Sequence, residues 1–368
     1  MVGQFVKLAC CGMAIMLWFG AFGTGCDGDG DSSATDGVLL EDHDGTDVLS
    51  PDVATPGVDA AADGSASTET ETASEQDSGN RLPVPECWTD LALGEKQIFS
   101  TEFADGTEGI AFGADGALYA TTGKSGTVWR IDPDGTFEPW ATVPQAIGLA
   151  LAPDGDLLVA SLGPSTAKGT PDGAVYRVTG KDQAMLWADG IDSPNFVVAL
   201  ADGTAWVSDD FDTVIHHIDV NGNVTAAVTN IGSPNGMGLS VQKDALFVAS
   251  TFTPDGEITR IPLDEQGKPK ADGWEILAKF GPVAFPDGLA VDETGDVYVA
   301  INFEGRVVRL VPQKDSPVQD VATGLQNPAS IAFGRAPNYD PCSIYVTELL
   351  GKHIWRVAVG RRGWVDKQ

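Results

Sequence analysis

Histidine, cysteine and basic residues are scarce in this chain, and each shortage removes a class of function. There are 4 histidines, one in a polar tract, two adjacent in one strand-like run (His216, His217) and one near the end (His353), which argues against histidine-based chemistry and histidine-ligated metals. No Gly-X-Ser-X-Gly elbow and no cysteine placed as a nucleophile is present. Lysine and arginine total 22 against 53 acidic residues, a formal net charge of -31, so nucleic acid and anionic membrane surfaces are excluded as direct partners by repulsion. Long apolar runs are confined to the first 25 residues, where Lys7 precedes a stretch from Leu8 to Phe22. That layout belongs to a secretory signal and not to a membrane span of the mature protein.

The segment ends Gly23-Thr24-Gly25-Cys26 and runs directly into an acidic tract. It resembles a bacterial lipobox, with Gly23 where leucine is common, and the resemblance implies lipidation of Cys26 and an exported, membrane-anchored lipoprotein at the periplasm or cell surface. An ordinary cleaved signal with an incidental cysteine is the alternative. Residues 26–84 form a linker: between 27 and 82 there is no aromatic residue, with fifteen acidic residues against one arginine. Such a tract buries too little apolar surface to offset chain entropy and is expected to be disordered. Asp27-Gly28-Asp29-Gly30-Asp31 opens like a calcium loop, but Ser32 and Val38 stand where glycine and glutamate are required. Residues 85–368 are the folded domain.

Within it one unit recurs six times. Glu108-Gly109-Ile110-Ala111-Phe112, then Asp115-Gly116, then Leu118-Tyr119-Ala120 is the first occurrence, and equivalent frames start at Ile147, Asn195, Asn235, Asp287 and Ala329. The starts lie roughly 40–50 residues apart, the length of four short antiparallel strands. With 44 glycines, 22 prolines and strict alternation in runs such as Val128-Trp129-Arg130-Ile131, an all-β, six-bladed β-propeller is predicted. The sixth repeat stops after its third strand, near Val357, and Lys96–Ser100 has no blade of its own, so this N-terminal strand is expected to close the ring. Closure would bring Cys87 toward Cys342, and export permits a disulfide between them; two buried free thiols are the other reading.

Both Asp-Gly turns of a blade fall on one face and are tight, so function is expected on the other. That face gathers Glu108, Asn195, Asn235 and Asp287 at the axis, with Thr121, Ser161, Asp209, Asp210, Thr251, Asn302 and Glu348 at nearby strand ends. Two carboxylates and two amides at equivalent repeat positions form a hard-oxygen donor set suited to Ca2+ and poorly suited to zinc or copper. Taken singly, Asn and Asp in Pro-Asn-Gly or Pro-Asp-Gly only mark turns.

At these residues the chain resembles the senescence marker protein/gluconolactonase/luciferin-regenerating-enzyme-like group, the six-bladed propellers that include regucalcin. The matching motifs are Glu108-Gly109, Pro194-Asn195, Pro234-Asn235-Gly236 and Pro286-Asp287-Gly288, within about residues 95 to 357; Phe196 stands where aspartate is commoner. The resemblance implies calcium-dependent hydrolysis of a lactone or other ester, the metal polarising the carbonyl and a carboxylate acting as base or nucleophile; separately, a monomer is expected. Asp287 is the first choice for that carboxylate, with Asp209 and Asp210 next. Sugar-lactone hydrolases of the group often offer an arginine from the second blade, and none occurs around Ile147 or Ser161. Phe211, Phe252 and Phe303 either line an apolar pocket or pack between blades. A non-catalytic ligand- or protein-binding propeller with structural calcium is the competing function.

Overall fold

The structure is a computed structural model that describes Cys87, residues 89–165 and residues 169–364. The signal segment and the whole acidic linker, Cys26 and its lipidation included, lie outside the described residues.

Alternating sequence becomes strand everywhere: 24 strands are arranged as six four-stranded antiparallel sheets, with no helix among the described residues. Blade one runs Ile110–Phe112, Leu118–Thr122, Thr127–Ile131 and Phe137–Thr142 from the axis outward, and the others repeat this order. In the sixth blade Pro328–Phe333, Ser343–Glu348 and His353–Ala358 are completed on the outside by Lys96–Thr101, so the N-terminal strand does close the ring.

Among the described residues the core is divided into six parts. Each of six apolar clusters fills the wedge between two neighbouring blades; Phe247, Ala249 and Ile258 of blade four, for example, pack on Leu289, Val297 and Val308 of blade five. Second strands are buried along their whole length because they carry neighbours on both faces, which is why they read as near-continuous apolar runs such as Leu157–Ser161 and Ala245–Ser250. The seam between blades six and one is the most aromatic. Tyr339 and Tyr345 meet Phe99 and Phe112 edge-on or tilted, and the Tyr339 hydroxyl donates to the Ile131 carbonyl at 2.5 Å while accepting from the Leu118 N–H at 3.1 Å. Cys87 and Cys342 are joined by a disulfide across a sequence separation of 255 residues.

The inner strands share an irregularity that positions the site. In blades two to six the pairing of inner and second strands slips just after its first residue, between Ala146 and Leu149, Pro194 and Val197, Pro234 and Met237, Pro286 and Leu289, and Pro328 and Ile331. A bulge frees a residue from ladder pairing and re-aims its side chain. Asn195, Asn235 and Asp287 all occupy these bulges.

Candidate metal centre

Glycine lets the bulged segments approach one another around the axis. A Cβ on Gly109 would stand 2.1 Å from the Ile147 carbonyl oxygen, one on Gly148 2.0 Å from that of Asn195, and one on Gly236 2.2 Å from that of Asp287. Such separations are far inside contact distance, so glycine at 109, 148 and 236 is a requirement of the close approach. The approach sets successive repeat starts side by side.

Hydroxyls then pin the ring. Thr121 donates to the Ile147 carbonyl, Thr251 to Pro286 and Thr347 to Glu108, each from the end of a second strand to the start of the next blade's inner strand. Ser161 is used locally, donating to the Pro144 carbonyl. These positions are therefore structural ties, whereas Asp210 and Asn302 from the same ring touch the quartet itself.

Asn302 donates to Asp287 Oδ2 at 3.1 Å and in turn accepts from Asn327 at 2.8 Å. Asp210 accepts from Asn195 Nδ2 at 3.3 Å and from the Ser233 hydroxyl at 3.0 Å. Asn195, Asn235, Asp287 and Asp210 are buried, and Glu108 is half-buried beside them. Removal from water raises the affinity of all three carboxyls for protons, and their mutual repulsion adds to it: Asp210 on Glu108, Glu108 on Asp287, Asp287 on Asp210. Glu108 is pushed up to about 8, while Asp287 and Asp210 are raised well above the ordinary aspartate range. Asp210 thus joins Glu108 and Asp287 in one electrostatic cluster, a relation the repeat frame did not reveal because Asp210 comes from the far end of a second strand.

Asp209, its neighbour, is turned elsewhere. Its Oδ1 accepts the Ser193 N–H at 3.1 Å and its Oδ2 lies 3.3 Å from His216 Nε2. Among the described residues, His216 is the histidine set against a candidate site carboxylate. Glu348 is fully buried in blade six, one carboxylate oxygen accepting the Gln326 N–H at 2.6 Å and the other pressed toward Gly351.

The residues fit a hard cation on their own terms. Asn235 Oδ1 is buried without a hydrogen-bond partner, amid three carboxyls that repel one another and make no ion pair with a lysine or arginine among the described residues. An unpaired amide oxygen and clustered buried acids are costly unless a cation meets them. Among the described residues no three His, Cys, Asp or Glu side chains form a metal group by themselves. Amide oxygens would have to share the coordination, a donor mixture characteristic of calcium. An axial hollow of about 360 Å³ lies toward the tight-turn mouth, walled by Phe196, Met237, Arg335 and Trp364 among others, and includes no carboxylate, so the chemistry belongs to the opposite end.

Comparison with known proteins agrees with this architecture. Residues 203–348 match the SMP-30/Gluconolactonase/LRE-like region, a stretch that includes Asn235 and Asp287. The chain is 27% identical over 238 residues to a pentonolactonase of Haloferax volcanii, covering 62% of this chain and 76% of that protein. Its fold is similar to that of a gluconolactonase of Xanthomonas campestris (TM-score 0.60, 18% identity, 77% of this chain and 99% of the other). It is also similar to that of regucalcin from Agrobacterium tumefaciens, a calcium-binding protein (TM-score 0.59, 17% identity, 73% and 94%). Matched region, ring and sequence motifs coincide: over residues 203–348 the chain is similar to the SMP-30/Gluconolactonase/LRE-like region, and its fold is similar to that of the gluconolactonase and regucalcin structures.

Proposed function

We propose that this domain hydrolyses a lactone or a related ester with the help of a calcium ion held by Glu108, Asn195, Asn235 and Asp287. Lactonase relatives support the reaction class. The observation that carries the metal is the buried, mutually repelling carboxyl cluster beside the unpartnered Asn235 oxygen. When bound, calcium supplies the positive charge that polarises a carbonyl and stabilises the oxyanion growing on it.

The chain's own residues supply the rest. Asp287, held at Oδ2 by Asn302, is the carboxylate that takes a proton from water or attacks the carbonyl directly. Asp210 serves as the alternative base, fixed by Ser233 and Asn195. Asp209 orients the segment through the Ser193 N–H and His216 and acts one step removed from the reacting atoms. Loops joining second to third strands rim the mouth. As an exported lipoprotein acylated at Cys26, the protein would meet small lactones or esters outside the cytoplasm, working as a monomer.

The test is calcium titration by calorimetry together with turnover of a broad lactone and ester panel, before and after chelation. Turnover that chelator abolishes and calcium restores supports the reading. A folded, calcium-loaded protein that turns over no member of the panel is a binding propeller.

A further inference from the structure

A chain of aromatic rings borders the carboxyl cluster on the open face. Phe211 stacks on Phe252 with centroids 5.4 Å apart and planes 9° from parallel; Phe252 meets Phe285 at 5.5 Å and Phe285 meets Phe303 at 5.7 Å, both steeply tilted. The rings come from three blades and are tied to the site residues. Phe211 follows Asp210, Phe285 precedes Pro286-Asp287, and Phe303 follows Asn302, the donor to Asp287. The Phe252 N–H donates at 3.0 Å to the same Ser233 hydroxyl that holds Asp210. A group lying against this wall is therefore held in register with the carboxylates.

The end of the row at Phe303 is apolar surface left in water. Phe303 is 54% exposed, and Val283 and Leu350, at 56% and 47%, stand on other loops of the same face. Packing between blades accounts for half-buried Phe211, Phe252 and Phe285 but not for an exposed phenylalanine at the end of the row. Exposed apolar side chains at the end of an aromatic row, beside a polar, desolvated centre, mark a ligand-binding rim. None of the segments 209–213, 250–256, 281–287 and 302–305 carries a lysine or arginine that could hold the hydroxyls of a sugar.

We propose that this aromatic wall binds an aryl or alkyl substituent of the substrate, which makes the domain selective for apolar-substituted lactones or esters over polyhydroxylated ones. The inference rests on the hydrolase reading for its reaction, and on the wall alone for its selectivity. Aromatic faces supply area at small entropic cost, and each buried methylene strengthens binding about fourfold.

The experiment follows two series on the calcium-loaded protein. In the first, kcat/KM is measured for γ-butyrolactone, its γ-alkyl homologues of increasing chain length and glucono-1,5-lactone. In the second, binding of 2-alkylcyclopentanones, which cannot be hydrolysed, is measured by calorimetry. The expected result is a rise of about threefold to fourfold per methylene in both series, flattened by Phe303→Ala and by Phe252→Leu. A chain-length slope in binding without turnover of any lactone upholds the wall and defeats the hydrolase reading instead. Flat series, or glucono-1,5-lactone preferred over the alkyl lactones, overturns the proposal. So does a result in which Phe303→Ala leaves both slopes intact and abolishes self-association or vesicle binding, because the patch would then serve a second copy or a lipid surface.

Discussion

The Thr347 hydroxyl donates to the carbonyl of Glu108 across the seam between the last and first blades, and accepts the Ser330 N–H at 2.9 Å. One side chain thus fixes a proposed ligand and closes the ring. Thr347→Val keeps the volume and leaves a buried donor and a buried acceptor unmatched, at an expected cost of about 1–3 kcal/mol in chemical denaturation. Calcium affinity should fall with it, because Glu108 loses its anchor. Thr225→Val, on an exposed outer strand, should stay within about 0.5 kcal/mol of the parent.

Calcium binding can be dissected one ligand at a time. Asp287→Asn and Glu108→Gln each remove a charge from the cluster and should weaken calcium on the order of 100-fold in calorimetric titration, in line with the loss of a buried charge partner. Asn302→Ala, which removes only the donor to Asp287, should cost roughly tenfold to 100-fold. Equal affinities across the set would place the ion elsewhere.

The carboxyl cluster also gives the metal-free protein a pH signature. Folded-state affinities of Glu108, Asp210 and Asp287 for protons exceed those of the unfolded chain, so the folded state holds more protons wherever the two differ. Stability must therefore fall as pH rises, for Glu108 from its ordinary 4.5 up to about 8. A thermal melt of chelated protein should show a melting temperature that declines over this window. Saturating calcium, which competes with those protons, should flatten the decline. A melting temperature that does not change with pH in chelator would mean that the three carboxyls are not in one field.

The Cys87–Cys342 disulfide closes a very long loop. Cys87→Ser together with Cys342→Ser should lower stability by about 2–5 kcal/mol. Hydrogen exchange should rise first in Lys96–Thr101, the strand that completes blade six.

What the sequence disclosed depended on how local the signal was. Alternation and Asp-Gly turns repeat within a few residues, so the six blades, their four-strand order and the role of Lys96–Thr101 could be read directly. Glu108, Asn195, Asn235 and Asp287 were found through their common place in the frame. The bulges that aim three of them carry no residue signature, because a register slip belongs to two strands at once. Asp210 was legible as a polar strand end, but its field on Glu108 exists only after ring closure. His216 pairs with Asp209 across a hairpin whose register periodicity does not specify. The Phe211–Phe252–Phe285–Phe303 row joins residues almost a hundred positions apart, and Phe285 gave no hint of membership until three blades stood side by side.

After blade six the chain continues along the tight-turn face. The Glu293 N–H donates to the Arg362 carbonyl and the Trp364 N–H to the Val291 carbonyl, both at 2.9 Å, so residues 362–364 are laced to the far end of blade five's inner strand. Cys87 is fastened to Cys342 on that same face. Both ends of the described domain thus leave from the side away from the candidate metal centre. A bead, a support or a fusion partner attached next to Cys87 or Trp364 would leave the mouth uncovered, which suits this propeller to immobilisation with the candidate site turned to the medium.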